Sequence, residues 1–153
     1  MQSIQIDGIS KFDSDLEDLL SKLPDKRREL HQRIAKSTKE EVDKQINASG
    51  LKDSSGKIKD WQESHVGSGG GYAAVRAEKG ATGKNSPGAI TNYLENGHKI
   101  REPGGNSKTY RPRIRKPYVD GYHFYQSAQT SAEAKAIAEA EQFVEEFRQK
   151  LEG

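Results

Sequence analysis

Apolar positions recur along this chain in two different periods. Ile4, Ile6 and Ile9 alternate with polar residues ahead of Asp7-Gly8, and a period of two suits a short half-buried strand. From about Ser10 the spacing changes to three and four, with Phe12, Leu16, Leu19, Leu20 and Leu23 on one helical face. Pro24 is expected to end or kink that helix, because it has no amide hydrogen and crowds the preceding turn. A second helix is predicted to run on to about Ala48, with Leu30, Ile34, Val42 and Ile46 as its stripe and Ser49-Gly50 as its stop.

The middle of the chain is broken into short pieces. Asp53-Ser54-Ser55-Gly56 predicts a turn, and Ile58 and Trp61 begin an expected strand that reaches Val66. Gly67-Ser68-Gly69-Gly70-Gly71 is expected to be a mobile hairpin connection, since it lacks the Gly-Lys-Ser/Thr ending and the flanking frame of a phosphate loop. Tyr72 to Ala77 is a further strand candidate, followed by a polar loop from Glu78 to Gly88. Ala89 to Glu95 is a short apolar segment closed by Asn96-Gly97.

Residues 98–118 hold Pro103, Pro112, Pro117 and Gly104-Gly105, which exclude a regular helix and disfavour a central strand. They predict an extended, mobile arm, with strand pieces near Tyr110 to Ile114. A long last helix is predicted from Gly121 to Leu151, with Tyr125, Ala128, Ala132, Ala136, Ala140, Phe143, Phe147 and Leu151 in one stripe. Thr130 and Glu133 offer an alternative start as a capping box. The sum is a single α+β domain over residues 1–153: an N-terminal amphipathic helical region, a small and mostly antiparallel central sheet with long loops, and a long C-terminal helix.

Composition alters this picture in one respect. Leu, Ile, Val and Phe fill only 27 of 153 positions, a poor supply for a core, yet the formal net charge of +2 is too small to hold a chain open. A thin core in a charge-balanced chain suggests a fold that gains stability from neighbouring subunits. The absence of cysteine excludes disulfides, thiolate metal sites and cysteine catalysis. No apolar stretch nears the roughly 20 residues that cross a bilayer, and Met1 to Ser10 has neither the basic start nor the apolar run of a signal peptide. A soluble protein made in a cytoplasm, without membrane contact, is expected.

Catalytic tools are scarce. His31, His65, His98 and His123 lie in separate segments without metal-ligand spacing, and His31 is expected in solvent on a charged helix. His98 and His123 flank the arm and can approach each other, but no third ligand or activated nucleophile accompanies them. The carboxylates, Asp13, Asp15, Glu17 and Asp18 early and Glu139, Glu141, Glu145 and Glu146 late, are assigned to wet helix faces. Serine appears in no nucleophile elbow. Neither enzymatic activity nor a cofactor or metal is expected, and a small hydrolase would need a site that the sequence does not offer.

The arm carries the candidate binding residues. Lys99, Arg101, Lys108, Arg111, Arg113, Arg115 and Lys116 are opposed within it only by Glu102, with Tyr110 and Tyr118 interleaved. In an extended chain Arg111, Arg113 and Arg115 share one edge. Such an edge suits phosphates or the carboxylates of another protein, and a solvated loop is the plain alternative. The last helix is net acidic, so opposite charges sit on two regions of one chain, a pattern for head-to-tail association of copies.

Taken together, Ser55-Gly56-Lys57-Ile58-Lys59-Asp60-Trp61, the Gly-rich turn, Tyr72 to Ala77, Tyr93-Leu94-Glu95-Asn96-Gly97-His98 and Gly121-Tyr122-His123-Phe124-Tyr125 resemble the tail-component family of long-tailed bacteriophages. Its members are tail-completion or head–tail joining proteins, with relatives in defective prophages and phage-like particles. The resemblance runs from about Ile9 onward and departs from the family's Thr-Gly-x-Leu motif, which here reads Ser-Gly-Lys-Ile, and in the length of the arm. It implies a structural virion protein of the tail or neck, assembled in the bacterial host cytoplasm. A ring, expected as a hexamer, would cap the tail tube and meet the head-connector and tail-terminator proteins. Non-specific DNA contact in the channel is compatible with it. A nucleic-acid-binding accessory protein using the basic arm is the alternative, against which stand the near-neutral net charge and the confinement of positive charge to one segment.

Overall fold

The computed structural model describes residues 3–5, 23–100 and 116–152, with side chains described as far as Gln149. The helix expected from Ser10, the alternation at Ile6 and Ile9, and most of the arm lie outside these residues. Within them the chain is α+β. In order come β1 (Ser3–Gln5), α1 (Pro24–Ala48), α2 (Lys57–Asp60), β2 (Gln62–Val66), β3 (Ala73–Ala77), α3 (Pro87–Asn96), β4 (Gly97–Lys99), β5 (Tyr118–Asp120) and α4 (Phe124–Glu152).

Pro24 opens α1, the helix expected to follow it, at a position with no intrahelical amide bond to lose. Leu30, Ile34, Val42 and Ile46 form the buried stripe as the spacing predicts. The three-stranded antiparallel sheet has the order β1-β3-β2, and Ile4 is the buried residue of β1, paired with Val75. Ile58 and Trp61 do not begin a strand. Gly56 at φ 71° turns the chain, and the Asp53 carboxylate accepts the amides of Ile58 (3.1 Å) and Lys59 (3.1 Å), winding α2 before β2 begins. The Gly-rich segment joins β2 to β3, closed by the Gly67 amide on the Tyr72 carbonyl at 3.0 Å.

The core has two parts, and they show α1 and α4 running antiparallel. Leu30, Ile34 and Ala35 meet Ala136, Ala140 and Phe143 at one end, while Val42 and Ile46 meet Phe124, Tyr125 and Ala128 at the other. Ala128, Ala132, Ala136 and Ala140 are fully buried, so the small stripe lets the helices approach closely and contributes little apolar area. The capping-box alternative fails, because α4 begins at Phe124, before Thr130.

Polar residues of α1 are buried alongside its apolar stripe. His31, expected in solvent, is buried and donates from Nδ1 to the Arg27 carbonyl at 2.9 Å. Glu41 is buried too, with Lys135 of α4 at 2.5 Å. Hydrogen bonds from Lys135 and then Ser131, opposed by burial, leave its carboxyl below the ordinary value of 4.5. A depressed folded-state pKa gives stability that is present above the unfolded value and lost as pH falls through the folded one. The urea midpoint is therefore expected to fall as pH drops below 4.5. Lys135→Met should flatten that acid limb, and an unchanged slope in the variant would assign the acid sensitivity to other carboxylates.

Candidate interaction surface at the root of the basic arm

Glu95-Asn96-Gly97 meets Gly121 to Tyr125 in one junction. The amides of Tyr122 and His123 donate to the carbonyls of Leu94 (2.7 Å) and Glu95 (3.1 Å). The Glu95 carboxylate accepts the amides of Tyr125 (3.0 Å) and Gln126 (3.1 Å), two donors that the first turn of α4 cannot satisfy internally. A negative charge there also meets the positive end of the helix dipole. Glu95 is thus a helix cap supplied from another element, and it is buried rather than solvated.

The same junction orders the polar interior of α3. Ser86 caps this helix by accepting the Ala89 amide, and Pro87 occupies its first turn. The helix buries Pro87, Thr91 and Glu95, at four-residue spacing. Thr91 receives a hydrogen bond from Gln62 Nε2 at 3.2 Å, and the Tyr125 hydroxyl donates to Gln62 Oε1. Burial first, and then the Glu95 charge, pushes the Tyr125 phenol upward, so it stays a neutral donor. Tyr93 consequently points outward, 41% exposed.

From the junction rises the ribbon of β4 and β5, antiparallel, with Gly97 opposite Asp120, His98 opposite Val119 and Lys99 opposite Tyr118. The Ile100 amide extends it by donating to the Pro117 carbonyl at 2.9 Å. None of its six strand residues is buried, so the ribbon is held by its root and not by a core. Its two faces differ. The Tyr118 hydroxyl folds back to the Asn96 carbonyl at 2.7 Å on one, whereas His98 and Val119 occupy the other, with Tyr93 against His98 at a ring separation of 5.3 Å. Beside β4 lies a groove of about 620 Å³, lined by Lys84, Asn85, Tyr93, His98, Lys99 and Ile100.

Of the candidate binding residues, Lys99 and Lys116 are described: Lys99 ends β4, and Lys116 precedes β5 and lies 3.5 Å from Asp120. Arg101, Lys108, Arg111, Arg113 and Arg115 lie outside the described residues. His98 and His123 take different partners, the ring of Tyr93 and the Glu95 carbonyl. Sequence reasoning missed Glu95, Tyr93, Ile100 and Val119. Helical spacing from Pro87 through Thr91 was the signal for the first two, and ribbon parity from His98 for the others.

Among the described residues, no group of three His, Cys, Asp or Glu side chains is placed to hold a metal ion, and no helix is long and apolar enough to cross a membrane. Comparison with protein-family models, with curated proteins and with solved structures finds no match to this chain.

Proposed function

We propose that this chain is a structural virion subunit of a tailed bacteriophage or phage-like particle, a ring-forming tail-completion or neck component that caps the tail tube and joins it to the head connector. The observation that supports it best is the exposed ribbon. A two-stranded ribbon without a core of its own is at most marginally stable in water. Here it is tied at its root by the Tyr122 and His123 amides on the Leu94 and Glu95 carbonyls, above the Glu95 cap of α4, and its far end leads into the basic arm. Such a lever suits contact with another subunit. The two motifs that carry the resemblance to the tail-component family, Tyr93 to His98 and Gly121 to Tyr125, build that root together.

The purified chain is expected to form closed oligomers as its concentration rises, measured as mass by light scattering and as rings by electron microscopy. A strict monomer at every concentration would overturn the ring-forming reading. Binding to DNA that collapses with modest salt would then favour a nucleic-acid-binding accessory protein acting through the arm.

A further inference from the structure

We infer that the ribbon groove is one half of a head-to-tail interface whose other half is the outward face of α4 in a second copy of this chain. The inference rests on the ring-forming reading and deepens it by naming the two surfaces. The first surface is apolar at its centre and basic at its edge. Ile100, 40% exposed, and Tyr93 line the groove with Lys84 and Lys99, and Val119, 38% exposed, pairs with groove-lining His98 from the neighbouring strand.

The second surface has carboxylates beside an apolar centre. Ala132, Ala136 and Ala140 of α4 are buried against α1, yet the opposite side of the helix is also apolar: Ala134, Ile137 and Ala138 are exposed. Ile137, at 45%, is the most exposed of the large apolar side chains described. Alanines on both sides of it leave room for a ribbon or side chain to lie close to the helix backbone. Glu141 and Glu145 continue the same helical face, both exposed, Glu145 with Arg148 paired to it at 2.9 Å and Glu141 one turn before it.

Charge selects the occupant. The groove offers lysines around an apolar centre, and α4 offers glutamates next to one, so each surface of a single chain complements the other and not itself. Complementarity between two different surfaces gives a heterologous contact, which propagates from copy to copy and closes where the rotation permits. A nucleic acid would meet the lysines but leave Ile100 and Val119 without an apolar partner.

The test uses variants that each destroy one surface. Ile137→Asp and Ile100→Asp are each expected to stay monomeric by light scattering at concentrations at least tenfold above those at which the parent chain associates. Mixed in equal amounts, they should form a two-chain complex and stop there, because one intact groove meets one intact helix and both outer ends are blocked. Recovery in the mixture also shows that each variant is folded. Lys99→Glu serves as a second groove variant that leaves the apolar residues in place, and it should weaken association in the same direction. Variants that associate like the parent would overturn this interface while leaving the ring-forming reading standing. A parent chain that is monomeric throughout would remove both. Loss of salt-sensitive DNA binding in Lys99→Glu and Ile100→Asp, without change in self-association, would overturn the interface and assign the groove to nucleic acid.

Discussion

Gly97→Ala is expected to destabilise the chain by about 3 kcal/mol or more, among the largest effects of any single methyl group here. Gly97 follows α3 with φ 76° and ψ 177°, a region essentially closed to residues with a Cβ. Space is lacking as well: a Cβ at this position would run into the Val119 carbonyl oxygen and come within 2.8 Å of the Gly121 amide nitrogen. The obstacle is backbone on both sides, so no side-chain rotation relieves it. Moving β5 away would break the pairing of Gly97 with Asp120 at the root of the ribbon. Gly88→Ala is the control, since a Cβ there meets nothing within 4 Å and its φ is not positive. It should be neutral or stabilise by up to about 1 kcal/mol. Urea midpoints at unchanged slope measure both, and equal midpoints for the two variants would show that the ribbon root is looser than its geometry.

The long helices were legible because their burial follows one rule. Leu30, Ile34, Val42 and Ile46 in α1, and the alanine series of α4, fall on core faces because apolar spacing and core position coincide there. β1 follows from the alternation at Ile4, and β3 and the glycine turn before it were also legible. The start of β2 was not, because Asp53 winds the preceding residues into α2. The candidate surface was less legible, for a physical reason. Its geometry depends on α3, which faces inward with Thr91 and Glu95 and outward with Tyr93, against the usual sorting of polar and apolar side chains. A buried carboxylate is tolerated only where donors await it, and those donors belong to a helix about 30 residues away in sequence. Local pattern does not encode that meeting. Glu41 was hidden in the same way, because its partner Lys135 lies on the other long helix. The charge pattern of the arm, by contrast, is visible only in sequence, and the structure adds the stem that carries it.

The role of Glu95 yields the second large effect. Glu95→Ala removes both acceptors from the amides of Tyr125 and Gln126, and strands the donor of buried Tyr125, whereas Gln126 is exposed. Hydrogen bonds to a charged group contribute more than neutral ones, and the stranded Tyr125 donor adds its own desolvation cost, so a loss of about 3 kcal/mol is expected. Glu95→Gln retains one carbonyl oxygen but turns an NH2 toward the other amide, which should leave roughly half that loss. The graded order separates a cap from simple space filling, because glutamine has nearly the volume of glutamate. Amide exchange localises it. Tyr125 and Gln126 should lose protection in both variants, while Ala136 and Ala140, deep against α1, should change only as far as global stability does. The same substitutions reach the surface through the backbone. The amides of Tyr122 and His123 bind the carbonyls of Leu94 and Glu95, so a loosened first turn of α4 frees the strand that leads into it. Self-association should therefore weaken in Glu95→Ala although Glu95 touches no neighbour. Association at parental strength in a variant with exposed Tyr125 and Gln126 amides would mean that the ribbon acts independently of the junction beneath it.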